Sequence, residues 1–417
     1  MPVDATRPAR QAALRDHNLG LVLGEIADRG PASRARIAAA TGLTKATVSS
    51  LVELLAAAGL VQELGADAAG AVGRPGRPVA LAPAGPVGIG LEINVDYLAV
   101  CTVDLAGTVL RRELVVLDLR AAGAERALGR AAPVLRRALA EATGAGRAVA
   151  GVAVAVPGLV QTGTDLVRVA PNLGWRDVPV LDALRAAGVP AEVPLRLGNE
   201  ADFAALGELW CGGHEALESF VYVSGEIGVG AAVVVQGRLF RGLNGFSGEI
   251  GHLPVGSALQ STAGRELPVC ACGAVGCLEQ VAGQEAMLRA AGLPVEPSTT
   301  VGRPEGPVAD LVARAAAGDA RALAAVADAG TALGTGIAAV VNLLDIGTVV
   351  LGGVYATLEP WLAGPVRDVV RRRVLGAPWA PVRVTASRLG GEAAVRGAAT
   401  MVVRDVITDP AVVLGRG

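Results

Sequence analysis

Three cysteines and a histidine carry the densest chemistry in the chain. Cys270, Cys272 and Cys277 follow a Cys-x-Cys-x4-Cys spacing, and His252 lies upstream of them. Five cysteines in all are too few and too irregular for a secreted disulfide scaffold, so this spacing reads as a metal loop. Three thiolates and one imidazole make a closed tetrahedral zinc site. Structural Zn2+ is therefore expected on His252, Cys270, Cys272 and Cys277. The bland alternative is a set of reduced, unliganded thiols. Glu249 stands three residues before His252, so one helical turn would put both on a face. Glu279 lies two residues past Cys277, so the same loop would position it. Zinc on one ring nitrogen of His252 would leave the other free for a ligand.

A second constellation lies near the N-terminus. Residues 17–60 read as three short helices. Leu19, Leu23, Ile26 and Ala27 share one face of the first, and Gly30-Pro31 stops it. Ser33 caps a second helix from Arg34 to Ala40. Thr41-Gly42-Leu43 is a tight turn, with Gly42 suited to a left-handed conformation. Thr44 caps a third helix that runs to about Ala58 and is ended by Gly59. Its buried stripe would be Val48, Leu51, Val52 and Leu55, which turns Lys45, Ala46, Ser49 and Ser50 outward. Small residues permit close approach to base edges, and Thr44, Lys45, Thr47 and Ser49 supply donors. Arg34, at the start of the second helix, joins the candidate DNA contacts. The plain alternative is the edge of an ordinary three-helix bundle.

Two short strands around a loop, within residues 61–81, would complete a winged helix-turn-helix. The loop contains Gly-Arg-Pro-Gly-Arg-Pro, from Gly73 to Pro78. Proline keeps Arg74 and Arg77 extended, which suits a narrow minor groove. A stiff linker with solvated charges would have the same composition.

The elements behind these residues follow from length and composition. A chain of 417 residues exceeds one ordinary core, and 52% hydrophobic content can bury more than one. A net charge of -2 excludes a general polyanion binder. Residues 1–81 nevertheless hold nine Lys/Arg against seven Asp/Glu, and the remainder 28 against 32, a sign that suits an N-terminal DNA module. The first 15 residues are polar, so no signal peptide is expected. Gly334 to Val354 is long and apolar enough to consider as a membrane span, but Asn342, Asp345 and several glycines interrupt it. Buried helix followed by buried strand is the better reading, and a cytoplasmic protein without a membrane partner is expected. His17 and His214 read as surface residues.

From Val87 the pattern becomes α/β. Strands are expected at 87–93 and 97–103, with a hairpin turn at Asp104–Gly107 leading to a third. A helix follows near 121–142 and a buried strand at Val149 to Val156. Comparable material returns with strands near 219–236 and Thr348–Leu351, and helices near 309–316, 319–343, 356–374 and 390–407. Two β-rich starts followed by helices predict two related α/β lobes with a cleft between them. The expected organisation is a DNA-binding domain at 1–81, a linker at 82–86 and a ligand domain at 87–417.

Gly248-Glu249-Ile250-Gly251-His252, followed by the cysteine loop through Glu279, resembles the ROK family of bacterial sugar-responsive repressors and sugar kinases. Pro171-Asn172-Leu-Gly-Trp175 and Gly198-Asn199-Glu200-Ala201 also match family motifs. The resemblance covers essentially the whole chain. It implies an actin-like (ribonuclease H-like) two-lobed domain behind a winged helix-turn-helix of the repressor branch. It assigns sugar-hydroxyl contacts to Asn172, Asn199, Glu249, His252 and Glu279. Carboxylates and amides suit bidentate contacts with neighbouring hydroxyls, and Trp175 could pack on a sugar face or belong to the core.

The departures from the family pattern fall on phosphate handling. Where family kinases carry an Asp-x-Gly-Gly-Thr loop, this chain reads Glu92-Ile93-Asn94-Val95-Asp96. Where a Gly-Thr-Gly loop is usual, it reads Ser224-Gly225-Glu226-Ile227-Gly228. Phosphates need close-approaching backbone N–H groups, and Asp96 and Glu226 would bring bulk and negative charge instead. The kinase base is replaced by Glu200, one methylene longer. The interval from His252 to Cys270 is longer than usual, so an insertion is expected within 255–267. The expectation is a sugar-responsive repressor that binds operator DNA as a homodimer or homotetramer, with kinase activity lost. The alternatives are an active sugar kinase that also binds DNA, and a repressor that reads a protein or a phosphosugar.

Overall fold

The computed structural model describes residues 11–65, 77–120, 122–214, 217–255, 269–295 and 306–414. Arg74 lies outside them, as do residues 256–268, which take in all of the expected insertion 255–267 except Val255.

The N-terminal module folds from α1 (Gln11–Arg29), α2 (Arg34–Thr41) and α3 (Lys45–Ala57). Ser33 and Thr44 cap α2 and α3 through side-chain oxygens that accept from Arg36 N and Thr47 N. Gly42 and Gly59 take left-handed φ values of 73° and 68°, ending α2 and α3. Leu19, Leu23 and Ile26 meet Ile37, Val48, Leu51, Val52 and Leu55 in the module's centre. Strands β1 (Val61–Glu63) and β2 (Val79–Leu81) pair antiparallel as the wing. The wing is pinned to the α1–α2 turn by reciprocal backbone bonds between Ala32 and Val79.

The remainder contains two five-stranded sheets with the same connectivity. In the first, β3 (Val87–Ile93), β4 (Tyr97–Val103) and β5 (Val109–Val116) form an antiparallel meander. β3 then pairs in parallel with β6 (Val149–Val156), and β6 with β10 (Leu195–Asn199). In the second, β11 (Phe220–Gly225), β12 (Val229–Val235) and β13 (Arg238–Phe240) repeat the meander. β11 pairs in parallel with β14 (Thr348–Gly353), and β14 with β15 (Arg383–Ala386). A small antiparallel sheet of β7 (Leu159–Val160), β8 (Leu166–Ala170) and β9 (Trp175–Pro179) is attached to the first lobe. Both central strands, β3 and β11, are buried throughout.

The segment 334–354 divides into helix and strand. The helix Ala320–Leu344 is apolar enough to cross a membrane by composition, but it lies largely inside the second lobe, and β14 follows it.

Helix α4 (Gly123–Gly144), with the short α5 (Val180–Ala186) against it, covers one face of the first sheet, and the helix Ala393–Thr408 packs across β3, β4 and β6 on the other. The latter also crosses α6 (Glu200–Cys211). At the crossing a Cβ on Gly397 would stand 1.8 Å from Phe203 O, and one on Gly207 2.4 Å from Ala393 O. The same helix receives α1, where a Cβ on Gly20 would stand 2.3 Å from Thr408 O.

The DNA module and the first lobe therefore share one apolar core, in which Leu23 and Leu55 belong with Tyr97, Val402 and Val406. Residues 82–86 are a compact joint rather than a free tether. Gly85 and Pro86 are buried, and Ala82 N donates to Leu60 O. His214 is not a surface residue either. Its Nε2 lies 2.7 Å from the fully buried Glu208 carboxylate, which also accepts from Leu389 N at 3.0 Å. Sequence spacing hid this, because the partner sits on α6 and the third group comes from residue 389.

Gly397→Ala tests the crossing. In an open helix alanine would stabilise by roughly 1 kcal/mol. Here the added methyl meets backbone, so a net loss of about 1–3 kcal/mol is expected in urea unfolding. A gain in stability would show that the helices can move apart freely.

Candidate functional site

The two lobes enclose a cleft of about 530 Å3. Asn172, Asn199, Glu200, Glu249, His252 and Glu279 all line it, so the six residues singled out from sequence converge on one cavity. Asn172 is presented by the 3-10 turn Pro171–Leu173, which Gly174 closes at φ 68°. Glu279 opens the short helix Glu279–Ala282 and is 8% exposed. A Cβ on Gly228 would stand 2.8 Å from the Glu279 carboxylate and 3.0 Å from the Asn172 amide, so glycine there clears the floor on which they meet.

Asn199 has a role that its motif does not reveal. It caps α6, its Oδ1 accepting from Ala201 N at 2.7 Å and Asp202 N at 3.3 Å, while its Nδ2 donates to Gly158 O at 2.8 Å. One amide hydrogen remains for a ligand. Much of what Asn199 does is to seat Glu200 at the helix start. Trp175 is core, 2% exposed, yet it reaches the cleft wall, and its Nε1 finds no partner among the described residues. A buried indole N–H without an acceptor is costly, so an edge-on bond to a ligand or water suits it better than stacking on a sugar face.

His252, Cys270, Cys272 and Cys277 bring their ligand atoms within 4.8 Å of one another, a cluster that can hold a metal ion. Cys272 and Cys277 Sγ are 3.8 Å apart, and Cys270 Sγ is 3.6 Å from His252 Nδ1. Zn–S bonds of about 2.3 Å at tetrahedral angles separate ligand atoms by about 3.8 Å, so the donor set fits zinc in both chemistry and spacing. The cluster faces the imidazole through Nδ1. The opposite nitrogen, Nε2, lies 3.7 Å from Glu249 Oε2 at the cleft wall. Cys270 Sγ is 2.8 Å from Glu279 Oε1, so metal loop and cleft carboxylate are in direct contact.

The two altered loops meet beneath the cleft. The space lined by Glu92, Glu200, Tyr222, Ser224 and Glu226 is only about 10 Å3, roughly one water. Glu92 is 2% exposed, its Oε1 accepting from Tyr97 OH at 2.5 Å, while Oε2 has no partner among the described residues. Asn94, unmarked by sequence, links the parts. Its Nδ2 donates to Tyr97 Oη at 3.0 Å and Glu200 Oε2 at 3.1 Å. Burial pushes the Glu92 carboxyl up to about 7. Burial, then the neighbouring carboxyls of Glu92, Asp96 and Glu249, pushes Glu200 up to about 8. Glu226 is raised well above the usual range by burial and by Glu200, Glu92 and Asp96. At Glu226 the expectation of bulk holds, but that of full negative charge needs correcting. Crowded and desolvated carboxyls hold their protons to higher pH, so Glu200 and Glu226 fill this space more than they charge it.

On the N-terminal module Lys45 is exposed, while Ser49 and Thr47 are half-buried. The hydroxyls of Thr44 and Thr47 lie 2.9 Å apart, so part of their bonding capacity goes to the helix start. Arg34 and Arg77 both reach Glu63 of β1, at 2.5 and 3.8 Å. Glu63 thus aligns helix and wing cations at one edge. Beside the outer face of α3, Arg15 and Asn18 of α1 share an open groove with Thr47 and Ser50. Neither was marked in the sequence, because the first helix showed only its apolar stripe.

Comparison with known proteins agrees with this geometry. The ROK family model matches residues 88–405, and the MarR family model matches residues 20–70. The chain is 29% identical to the xylose repressor of Caldicellulosiruptor bescii over 405 residues, covering 95% of this chain and 98% of that one. It is 28% identical to the xylose repressor of Bacillus subtilis over 395 residues, covering 95% and 97%. A ROK family transcriptional regulator, a homologue of the E. coli MLC protein, shares the fold at TM-score 0.76 and 24% identity, covering 97% of this chain and all of that one. A ROK family glucokinase from Streptomyces griseus, solved with glucose and AMPPNP, matches at TM-score 0.61 and 26% identity, covering 76% and 98%. The chain belongs to the ROK family and carries a MarR-type winged helix ahead of its ROK domain.

Proposed function

We propose that this protein is a sugar-responsive transcriptional repressor whose effector enters the interlobe cleft and releases the winged helix from operator DNA. One contrast carries the reading. The cleft keeps about 530 Å3 lined by amides and carboxyls suited to hydroxyls, whereas the pocket behind it, where Glu92 and Glu226 of the altered loops meet Glu200, is about 10 Å3. Asn172, Glu249, His252 and Glu279 take sugar hydroxyls, with Glu200 and the remaining Asn199 hydrogen beneath them. Phosphoryl transfer depends on positioning and on donors around the phosphates, which this chain has filled with side chains. Glu200 therefore binds without doing chemistry. A kinase that also binds DNA would retain this carboxyl but needs a cradle of close-approaching backbone N–H groups, which neither altered loop has the glycines to supply.

Closure has a direct route to the DNA module. Arg120 of the first lobe pairs with Glu285 of the second at 2.9 Å, across the cleft. α6 begins at the sugar site and crosses the 393–408 helix, which holds α1. A ligand acts through its different affinity for open and closed states. Arg34, Thr44, Lys45, Thr47, Ser49, Arg74 and Arg77 form the DNA-facing set. The protein works in the cytoplasm as a homodimer or homotetramer, with half-site spacing set by its symmetry. The exposed Leu343, Leu375 and Trp379 of the second lobe are apolar surface that a second copy can bury.

The first test uses a pentose, because the repressor relatives are named for xylose. Xylose, added without ATP, should weaken operator binding at least tenfold in fluorescence anisotropy and be recovered unmodified. ATP-dependent product at about 1–100 per second, the ordinary kinase range, would promote the kinase reading. Failure of xylose with success of another free sugar would change the effector and leave the mechanism.

Zinc on His252, Cys270, Cys272 and Cys277 would fix the His252 ring and the Glu279 carboxyl for sugar binding. One equivalent per chain is expected by metal analysis. Cys272→Ser should lower zinc content and weaken sugar binding about 10–100-fold. Unchanged sugar affinity would uncouple loop from cleft.

For DNA, Arg77→Ala should weaken operator binding and flatten its salt dependence by about one phosphate contact. Ser49→Ala should change sequence preference more than salt slope. An Arg77→Ala variant equal to wild type would reduce the wing arginine to linker.

A further inference from the structure

A second cleft, of about 270 Å3, opens at the joint between the DNA module and the first lobe. Its walls are the end of α1 with Asp28, the turn after β4 with Ala106, the end of α6 with Trp210 and Cys211, and the outer face of the 393–408 helix. That face presents Arg396, Thr400 and Arg404, spaced four residues apart and so stacked in one row. The two guanidiniums differ in circumstance. Arg404 is satisfied, donating to Asp28 Oδ1 at 3.0 Å and lying 5.7 Å from the Trp210 ring centre. Arg396 is half-buried, with its Nε shielded from solvent and without an acceptor among the described residues. Next to it Thr400 is 5% exposed, its hydroxyl 3.4 Å from Cys211 Sγ.

A shielded guanidinium N–H without an acceptor is unfavourable, and charges at buried sites are ordinarily paired or hold an ion. The cleft contains two permanent cations and one carboxylate, so its side chains leave a net positive charge facing an open volume. The planar fork of arginine matches the oxygens of a phosphate or carboxylate. We propose that this cleft is a second effector site for a small oxyanion, a phosphate- or carboxylate-bearing metabolite, whose anionic group is taken by Arg396 with the Thr400 hydroxyl beside it. The site is separate from the sugar cleft and lies at the opposite end of α6. One wall is α1, so an occupant bears on the joint through which the DNA module is held, whatever sugar the other cleft takes.

The experiment uses the full-length protein, with inorganic phosphate and malonate as probes. Each is titrated at ionic strength held constant with KCl, and Tm and calorimetric Kd are read. Phosphate or malonate should raise Tm above matched chloride, since a ligand that binds the folded state stabilises it by mass action. The tighter of the two names the anionic group. Arg396→Gln should abolish the increment. Ala106→Glu changes an exposed turn residue at the cleft mouth and should abolish it without disturbing the fold, which covers the case of a poorly folded Arg396 variant. Asp28→Asn, which removes the one acid among the described residues that line the cleft, should tighten binding several-fold. Equal increments in wild type and Ala106→Glu, or none for either probe in wild type, would overturn the site.

Discussion

The crossing of α6 with the 393–408 helix is the constraint on which the rest of the molecule depends. Backbone meets backbone there, through Gly207 and Gly397, so the two helices behave as one rigid piece. One end of that piece is the cap at Asn199, which seats Glu200 in the cleft. The other carries the Thr408 turn against which Gly20 of α1 is pressed. Interiors packed to this density transmit displacement rather than absorb it. The buried Glu208 reinforces the piece by tying α6 to residues 387–389 and to His214. The cleft and the DNA module are thus joined through directly packed helices.

The carboxyl cluster below the cleft shows how several acidic side chains can be packed between the two lobes without losing the fold. Glu92, Glu200 and Glu226 occupy the region between the first turns of the two meanders, where their charges would be both desolvated and mutually repelled. Protonation relieves both costs. Because folded-state values near 7 and 8 for Glu92 and Glu200 lie above those of an open chain, the folded state holds extra protons in between. Stability is therefore greatest at the acid side and declines as pH rises through that window. Hydrogen bonds from Tyr97 and Asn94 hold the cluster together. This arrangement favours a lobe contact maintained for shape over one kept available for a charged ligand.

The metal cluster and the sugar cleft share atoms' neighbours rather than atoms. His252 turns one ring nitrogen to the thiols and the other toward Glu249, and Glu279 touches Cys270. Such an arrangement ties the loop of candidate metal donors to the carboxyls of the cleft, so that order in one is shared by the other.

Local signals were enough to determine the helix caps at Ser33 and Thr44, the left-handed Gly42, the buried stripe of α3, the strands of both meanders, and the donor set His252, Cys270, Cys272 and Cys277. Each depends on neighbours within a few residues, or on residue types with few alternative uses. The six cleft residues were also legible, since short motifs carry them. What the tertiary structure alone decided involves partners far apart in sequence. Asn94 meets Glu200 across 106 residues, and Glu208 meets Leu389 across 181. The raised carboxyls, the shared core of DNA module and first lobe, and an Arg396 Nε without an acceptor among the described residues follow from the same long-range packing. Burial and electrostatic environment belong to the assembled fold, and no spacing along a chain specifies them.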